Sequence, residues 1–121
     1  MVYLLDSKSF TGKTTYLKNL AKENQNKTIK YFTDEEWTKF IIESFQNSDS
    51  YVLDHCDIVC IDNIDFLKNS STIQEVTAEI IIELKDKTDF YLSGIKLGER
   101  ISIIITLLKN NQIRFKYIDV T

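Results

Sequence analysis

The chain has 121 residues, 43% of them hydrophobic and 27% charged, with a formal net charge of -3 and a pI near 5.1. That length suits a single domain, residues 1–121, and the acidic balance argues against direct binding to the phosphate backbone of DNA. The apolar segments are too short to span a membrane, and the first residues lack the basic, cleavable pattern of a signal peptide, so the expected location is the cytoplasm.

In chain order, residues 2–5 form a short apolar run that predicts a buried strand. Residues 12–21 carry Tyr16, Leu17 and Leu20 at helical spacing, and residues 28–32 predict a second strand. Thr33-Asp34-Glu35-Glu36 follows as a capping box, in which a hydroxyl and a carboxylate satisfy orphan amides at a helix start. Behind it, Trp37, Phe40, Ile41, Ser44 and Phe45 make one stripe, so this helix packs on a sheet. Ile58-Val59-Cys60-Ile61 is a continuous apolar run closed by Asp62, the pattern of a central parallel strand covered on both faces.

A loop with Asn69-Ser70-Ser71 leads to a predicted helix over 72–85, with Val76, Ile80 and Leu84 on one face. Residues 89–92 predict a fourth strand, 97–110 a last helix and 113–120 a fifth strand. Ile103, Ile104, Ile105, Leu107 and Leu108 exceed one core-facing stripe, which fits either a helix buried between sheet and loops or one that shows its excess to a partner. Alternation of strand and helix predicts an α/β domain with a parallel sheet covered on both faces. Cys56 and Cys60 read as core or loop thiols, and with His55 they make only an oddly spaced set of metal donors.

The chemistry begins at Ser7-Lys8-Ser9-Phe10-Thr11-Gly12-Lys13-Thr14, between a strand and a helix. A G-x-x-x-x-G-K-[ST] loop wraps phosphates in backbone amides; its lysine reaches the β- and γ-phosphates and its hydroxyl holds Mg²⁺. Gly12-Lys13-Thr14 keeps the second half, whereas Ser7 replaces the first glycine and Phe10 narrows the loop. The expected nucleotide-binding residues are therefore Ser7, Lys8, Ser9, Phe10, Thr11, Gly12, Lys13, Thr14, Thr15 and Asp62. Thr14 and Asp62 are the expected Mg²⁺ residues, because the metal needs a carboxylate beside the loop hydroxyl. Asn63 follows Asp62 and cannot accept a proton as a carboxylate can, and Asp65 points elsewhere.

Two longer runs carry a resemblance to a family. Tyr31-Phe32-Thr33-Asp34-Glu35-Glu36-Trp37-Thr38 resembles the Y-V-T-S-E-E-F-T segment of the DnaA family, AAA+ initiators of bacterial replication. Asp57-Ile58-Val59-Cys60-Ile61-Asp62-Asn63-Ile64-Asp65-Phe66-Leu67 resembles its D-V-L-L-I-D-D-I-Q-F-L, and Gln74-Glu75 matches a Q-E further on. The resemblance implies a three-layer P-loop fold with a five-stranded parallel sheet of order 5-1-4-3-2, ATP or ADP with Mg²⁺ at the P-loop, and work in replication initiation or its control.

The chain also departs from the family. It starts at the first strand, without the family's preceding adenine-holding segment, and stops before the lid and the DNA-binding helix-turn-helix, so neither is expected here. Ser93-Gly94-Ile95 stands at the family's sensor stretch S-S-D. Leu97-Gly98-Glu99-Arg100 resembles L-E-D-R, but the arginine finger falls among Ile101-Ser102-Ile103-Ile104-Ile105; Arg100 either substitutes for it or is a solvated helix residue.

These losses favour a regulatory or adaptor module that is not an efficient ATPase and docks onto an AAA+ initiator, a helicase loader or a helicase. The alternative is a slow ATPase whose site is completed across an oligomer interface. A product without any remaining partner is a third reading.

Overall fold

The computed structural model describes residues 1–7, 12–47, 56–64 and 70–118, with the side chains of residues 7 and 45–47 excepted. Lys8, Ser9, Phe10, Thr11, His55, Asp65 and the side chains of Ser7 and Phe45 therefore lie outside the described residues. The elements are β1 Val2–Ser7, α1 Lys13–Glu23, β2 Ile29–Thr33, α2 Asp34–Asn47, β3 Ile58–Asp62, α3 Ser71–Leu84, β4 Asp89–Ile95, α4 Leu97–Arg100, α5 Ser102–Asn110 and β5 Phe115–Ile118. The strands form one parallel sheet of order β2-β3-β4-β1-β5, which is the expected order read from the other edge.

Strand alternation divides the core into two layers. Val2, Leu4, Val59, Ile61, Phe90 and Leu92 point to one face, where α2, α3, α4 and α5 cover them. Leu5, Ile58, Cys60 and Tyr91 point to the other, against Leu17 of α1. All five residues of β3 are buried, as a run without polar alternation requires when helices cover both faces. The α1 layer is rich in tyrosine, with Tyr3 and Tyr91 stacked at 4.4 Å between ring centroids.

Helix α2 starts as its sequence dictates. The Glu36 amide donates to the Thr33 hydroxyl at 3.2 Å, and the Thr33 amide donates to the Glu36 carboxylate at 3.0 Å, which closes the capping box. That backbone bond from Thr33, with its side-chain bond second, holds the Glu36 carboxyl below its ordinary value. Trp37 and Ile41 then turn inward and are fully buried, while Phe32, Trp37 and Phe40 form an aromatic cluster with centroids 5.2 to 5.5 Å apart. The Trp37 indole N–H donates to the Thr77 hydroxyl of α3 at 2.8 Å, and that hydroxyl donates to the Ile73 carbonyl. Ser70 caps α3 by accepting from the Ile73 amide at 3.3 Å.

The first strand runs on to Ser7 and the first helix to Glu23, and three further differences from the expected boundaries have a visible local cause. The fourth strand runs to Ile95 because Ser93, Gly94 and Ile95 continue to pair with Leu5, Asp6 and Ser7; their polar and small side chains conceal a strand that its neighbour holds. The last helix is broken at Ile101, which is fully buried with φ -121° and ψ 39°. The Gln74 side-chain amide of α3 reaches the Arg100 carbonyl at that break, 3.4 Å away. The fifth strand starts at Phe115 because Ile113 ends α5: its amide donates to the Leu108 carbonyl at 2.9 Å after Gln112 takes φ 59°, a Schellman-type stop.

The buried Trp37–Thr77 contact predicts the effect of an isosteric change. Thr77→Val keeps the shape but leaves the indole N–H without its acceptor, so it should cost about 1–3 kcal/mol of stability in chemical denaturation. Thr77→Ser, which keeps the hydroxyl, should lose less.

Candidate nucleotide-binding site

The carboxyl ends of the strands carry the site, where ligands of open parallel sheets bind. Gly12 precedes α1 with φ 87°, a left-handed conformation that a side chain resists. It offers no side-chain cap, and the first turn of α1 contains no acidic residue. The first amides of a helix have no intrahelical acceptor, and they lie at the positive end of the helix dipole, where anions bind. Lys13 opens the helix and is only 3% exposed, whereas Thr14 and Thr15 are exposed.

Asp62 ends β3 and is 5% exposed, so its carboxylate must be supplied with donors. Among the described residues three hydroxyls do this. Thr14 Oγ1 donates to Asp62 Oδ2 at 2.7 Å, the Tyr31 phenol donates to the same oxygen, and Ser93 Oγ donates to Oδ1. Ser93 Oγ in turn accepts from the Asn63 amide at 2.8 Å, where Asn63 takes φ 61° and turns the chain away from the sheet. Burial first, and then the hydrogen bond to Asp62, hold the Tyr31 phenol above its ordinary pKa, so it remains a donor at neutral pH.

This arrangement brings Gly12, Lys13, Thr14 and Asp62 to one end of the sheet, as the sequence motifs require. It also adds two residues outside the expected site set: Tyr31, and Ser93, which in the sequence reading stands only at the family's sensor stretch. Tyr31 lay within the resemblance without a part in the site; the pairing of Thr33 with Asp62 puts β2 beside the carboxylate. Ser93 is reached because β4 pairs with β3 through Ile61 and Leu92, so the next residue of each strand faces the other. The signal for Ser93 was a polar residue directly after the buried run Phe90-Tyr91-Leu92.

The donor set suits a small hard cation with a phosphate. Two ligands at right angles on Mg²⁺ stand about 3 Å apart, given metal–oxygen distances of about 2.0–2.1 Å. Thr14 Oγ1 and Asp62 Oδ2 are already 2.7 Å apart. Among the described residues no three His, Cys, Asp or Glu side chains cluster, and a P-loop cation needs none, since phosphate and water complete its shell. Cys60 is buried beside this site, and burial first and Asp62 second push its thiol up to about 12, so it is neither a thiolate nucleophile nor a soft ligand at neutral pH. Arg100 closes α4, a short helix whose start is tied to β1 by the Leu97 amide, 3.3 Å from Asp6 Oδ1.

Comparison with known proteins agrees with this fold. The family model of the bacterial DnaA ATPase domain matches residues 3–111. Domain III of the Thermotoga maritima replication initiation protein DnaA superposes with a TM-score of 0.69 at 18% identity, over 97% of this chain and 54% of that one. AMPPCP-bound DnaA from Aquifex aeolicus gives 0.69 at 15% identity, over 100% of this chain and 40% of that one. A replication initiator DnaA bound to AMPPCP and single-stranded DNA gives 0.70 at 16%, over 99% and 40%. The chain thus spans about half or less of the length of these structures. A search of curated protein sequences gives no match. With the family model covering nearly the whole chain, the chain belongs to the bacterial DnaA ATPase-domain family.

Proposed function

We propose that this chain is a nucleotide-binding regulatory or adaptor module of bacterial DNA replication initiation or its control. It binds ATP or ADP with Mg²⁺ and acts by docking onto another AAA+ or replication protein. The observation that supports the nucleotide site is the Thr14–Asp62 contact of 2.7 Å beside the uncapped N-terminus of α1. Lys13 and the amides of Gly12 to Thr14 would hold the phosphates. Thr14 and Asp62 would hold Mg²⁺, which when bound neutralises phosphate charge. Ser93 and Tyr31 keep the Asp62 carboxylate aimed at that point.

Efficient hydrolysis needs more than this. The position after Asp62 is Asn63, which cannot take a proton from water, and its backbone is committed to Ser93. The stretch expected to hold an arginine finger is Ile101 to Ile105, of which Ile101, Ile104 and Ile105 are buried in the core. Each absent charge-stabilising group costs roughly 10²–10³-fold in rate. Binding without fast turnover is the consequence, and it suits a module that reports nucleotide state to a partner.

Two outcomes test this reading. Mg·ATP at about 100 times its dissociation constant should stabilise the chain by about 2.7 kcal/mol, readable as a rise in melting temperature, and Lys13→Ala should abolish the rise. No rise in the wild type would remove the nucleotide from the account. Phosphate release by the isolated chain should stay near background, and Asn63→Asp alone should not restore it, because groups that act as a unit contribute non-additively. Robust turnover by the wild type would instead favour the slow ATPase completed across an oligomer interface.

A further inference from the structure

An open groove of about 690 Å³ lies between α3 and α5, and the nucleotide site makes no use of it. Its apolar lining is Ile82 of α3 with Ile103 and Leu107 of α5, all partly buried. The excess of aliphatic residues in this last helical region now divides cleanly. Ile104, Ile105 and Leu108 fill the core, and Ile103 and Leu107 are left at the groove.

One wall of the groove is charged. Glu75, Glu79 and Glu83 stand one turn apart along α3, all exposed, and among the described residues none of them forms an ion pair. Among the described residues no lysine or arginine lines the groove. Like charges at i and i+4 repel, so this row lowers the stability of α3 in the free chain. An apolar strip beside an uncompensated acidic row is complementary to a surface that is apolar in the middle and basic at its edge.

We propose that the groove docks a basic amphipathic helix of a protein partner. Apolar residues of that helix seat on Ile82, Ile103 and Leu107, and lysines or arginines one turn apart face Glu75, Glu79 and Glu83. The row from Glu75 to Glu83 is about 12 Å long, at about 1.5 Å per residue, which a helix of about three turns covers. A nucleic acid does not fit, because its phosphates would meet the acidic wall. A second copy of this chain does not fit either. The basic helix among the described elements, α1 with Lys18 and Lys22, already spends Leu17 on its own core. The proposal deepens the adaptor reading by naming the docking face and the chemistry of its partner.

The test uses a fluorescein-labelled amphipathic peptide of about 18 residues, with a leucine face flanked by lysines, and a second peptide with those lysines replaced by glutamates. At low ionic strength the lysine peptide should bind with micromolar affinity and shift the methyl resonances of Ile82, Ile103 and Leu107. Glu79→Lys should weaken it about tenfold and improve binding of the glutamate peptide. The same variant should melt at a higher temperature than the wild type, since it converts a repelling row into alternating charges. A misfolded variant cannot produce that combination. Unchanged affinity in Glu79→Lys, methyl shifts elsewhere, no binding by the lysine peptide at 100 times micromolar, or self-association through the groove would each overturn the proposal. The Mg·ATP melting shift, measured on the same variant, keeps the two readings apart. Retained nucleotide stabilisation with lost docking specificity refutes the groove alone, and docking without nucleotide stabilisation in the wild type refutes the nucleotide site alone.

Discussion

A carboxylate at the end of a strand covered on both faces constrains everything around it. Asp62 is almost wholly removed from water, and such a group is tolerated only where donors replace the lost hydration. Three different elements supply them: Thr14 from the first turn of α1, Tyr31 from β2 and Ser93 from β4. The strand order that puts β3 between β2 and β4 is therefore the order that satisfies the acid. Ser93 then passes the constraint on to the Asn63 amide, which fixes where the chain leaves the sheet. The proposed nucleotide site and a folding requirement thus share the same atoms.

Those bonds to Asp62 hold the start of α1 against the ends of β2, β3 and β4. The packing of α2 and α3 against the opposite face, joined through Trp37 and Thr77, holds the sheet independently of any ligand. The start of α1 is the contrasting feature: Gly12 gives it no side-chain cap, and its first turn carries no acidic residue.

Much of this was legible in the sequence because it was written in local patterns. The unbroken run Ile58-Val59-Cys60-Ile61 and the capping box Thr33-Asp34-Glu35-Glu36 each specify an element without help from the rest of the chain, and both formed as expected. Gly12-Lys13-Thr14 likewise announced a helix start. What the sequence concealed depends on neighbours. Ser93 and Gly94 resemble a loop until β1 pairs with them, and the break at Ile101 needs Gln74 of another helix beside it. Tyr31 carries no sign that its phenol reaches across to Asp62; the parallel register alone decides that.

The proposed nucleotide site is the end of the sheet formed by α1 and Asp62. The most direct measurement is an amide chemical-shift titration of the ¹⁵N-labelled chain with Mg·AMPPCP. The largest changes are expected at the amides of Gly12, Lys13 and Thr14, with a change at the Asn63 amide, which senses Asp62 through the Ser93 hydroxyl. An unchanged spectrum at saturating nucleotide concentrations, or changes confined to α3 and α5 on the opposite face, would contradict the proposed site.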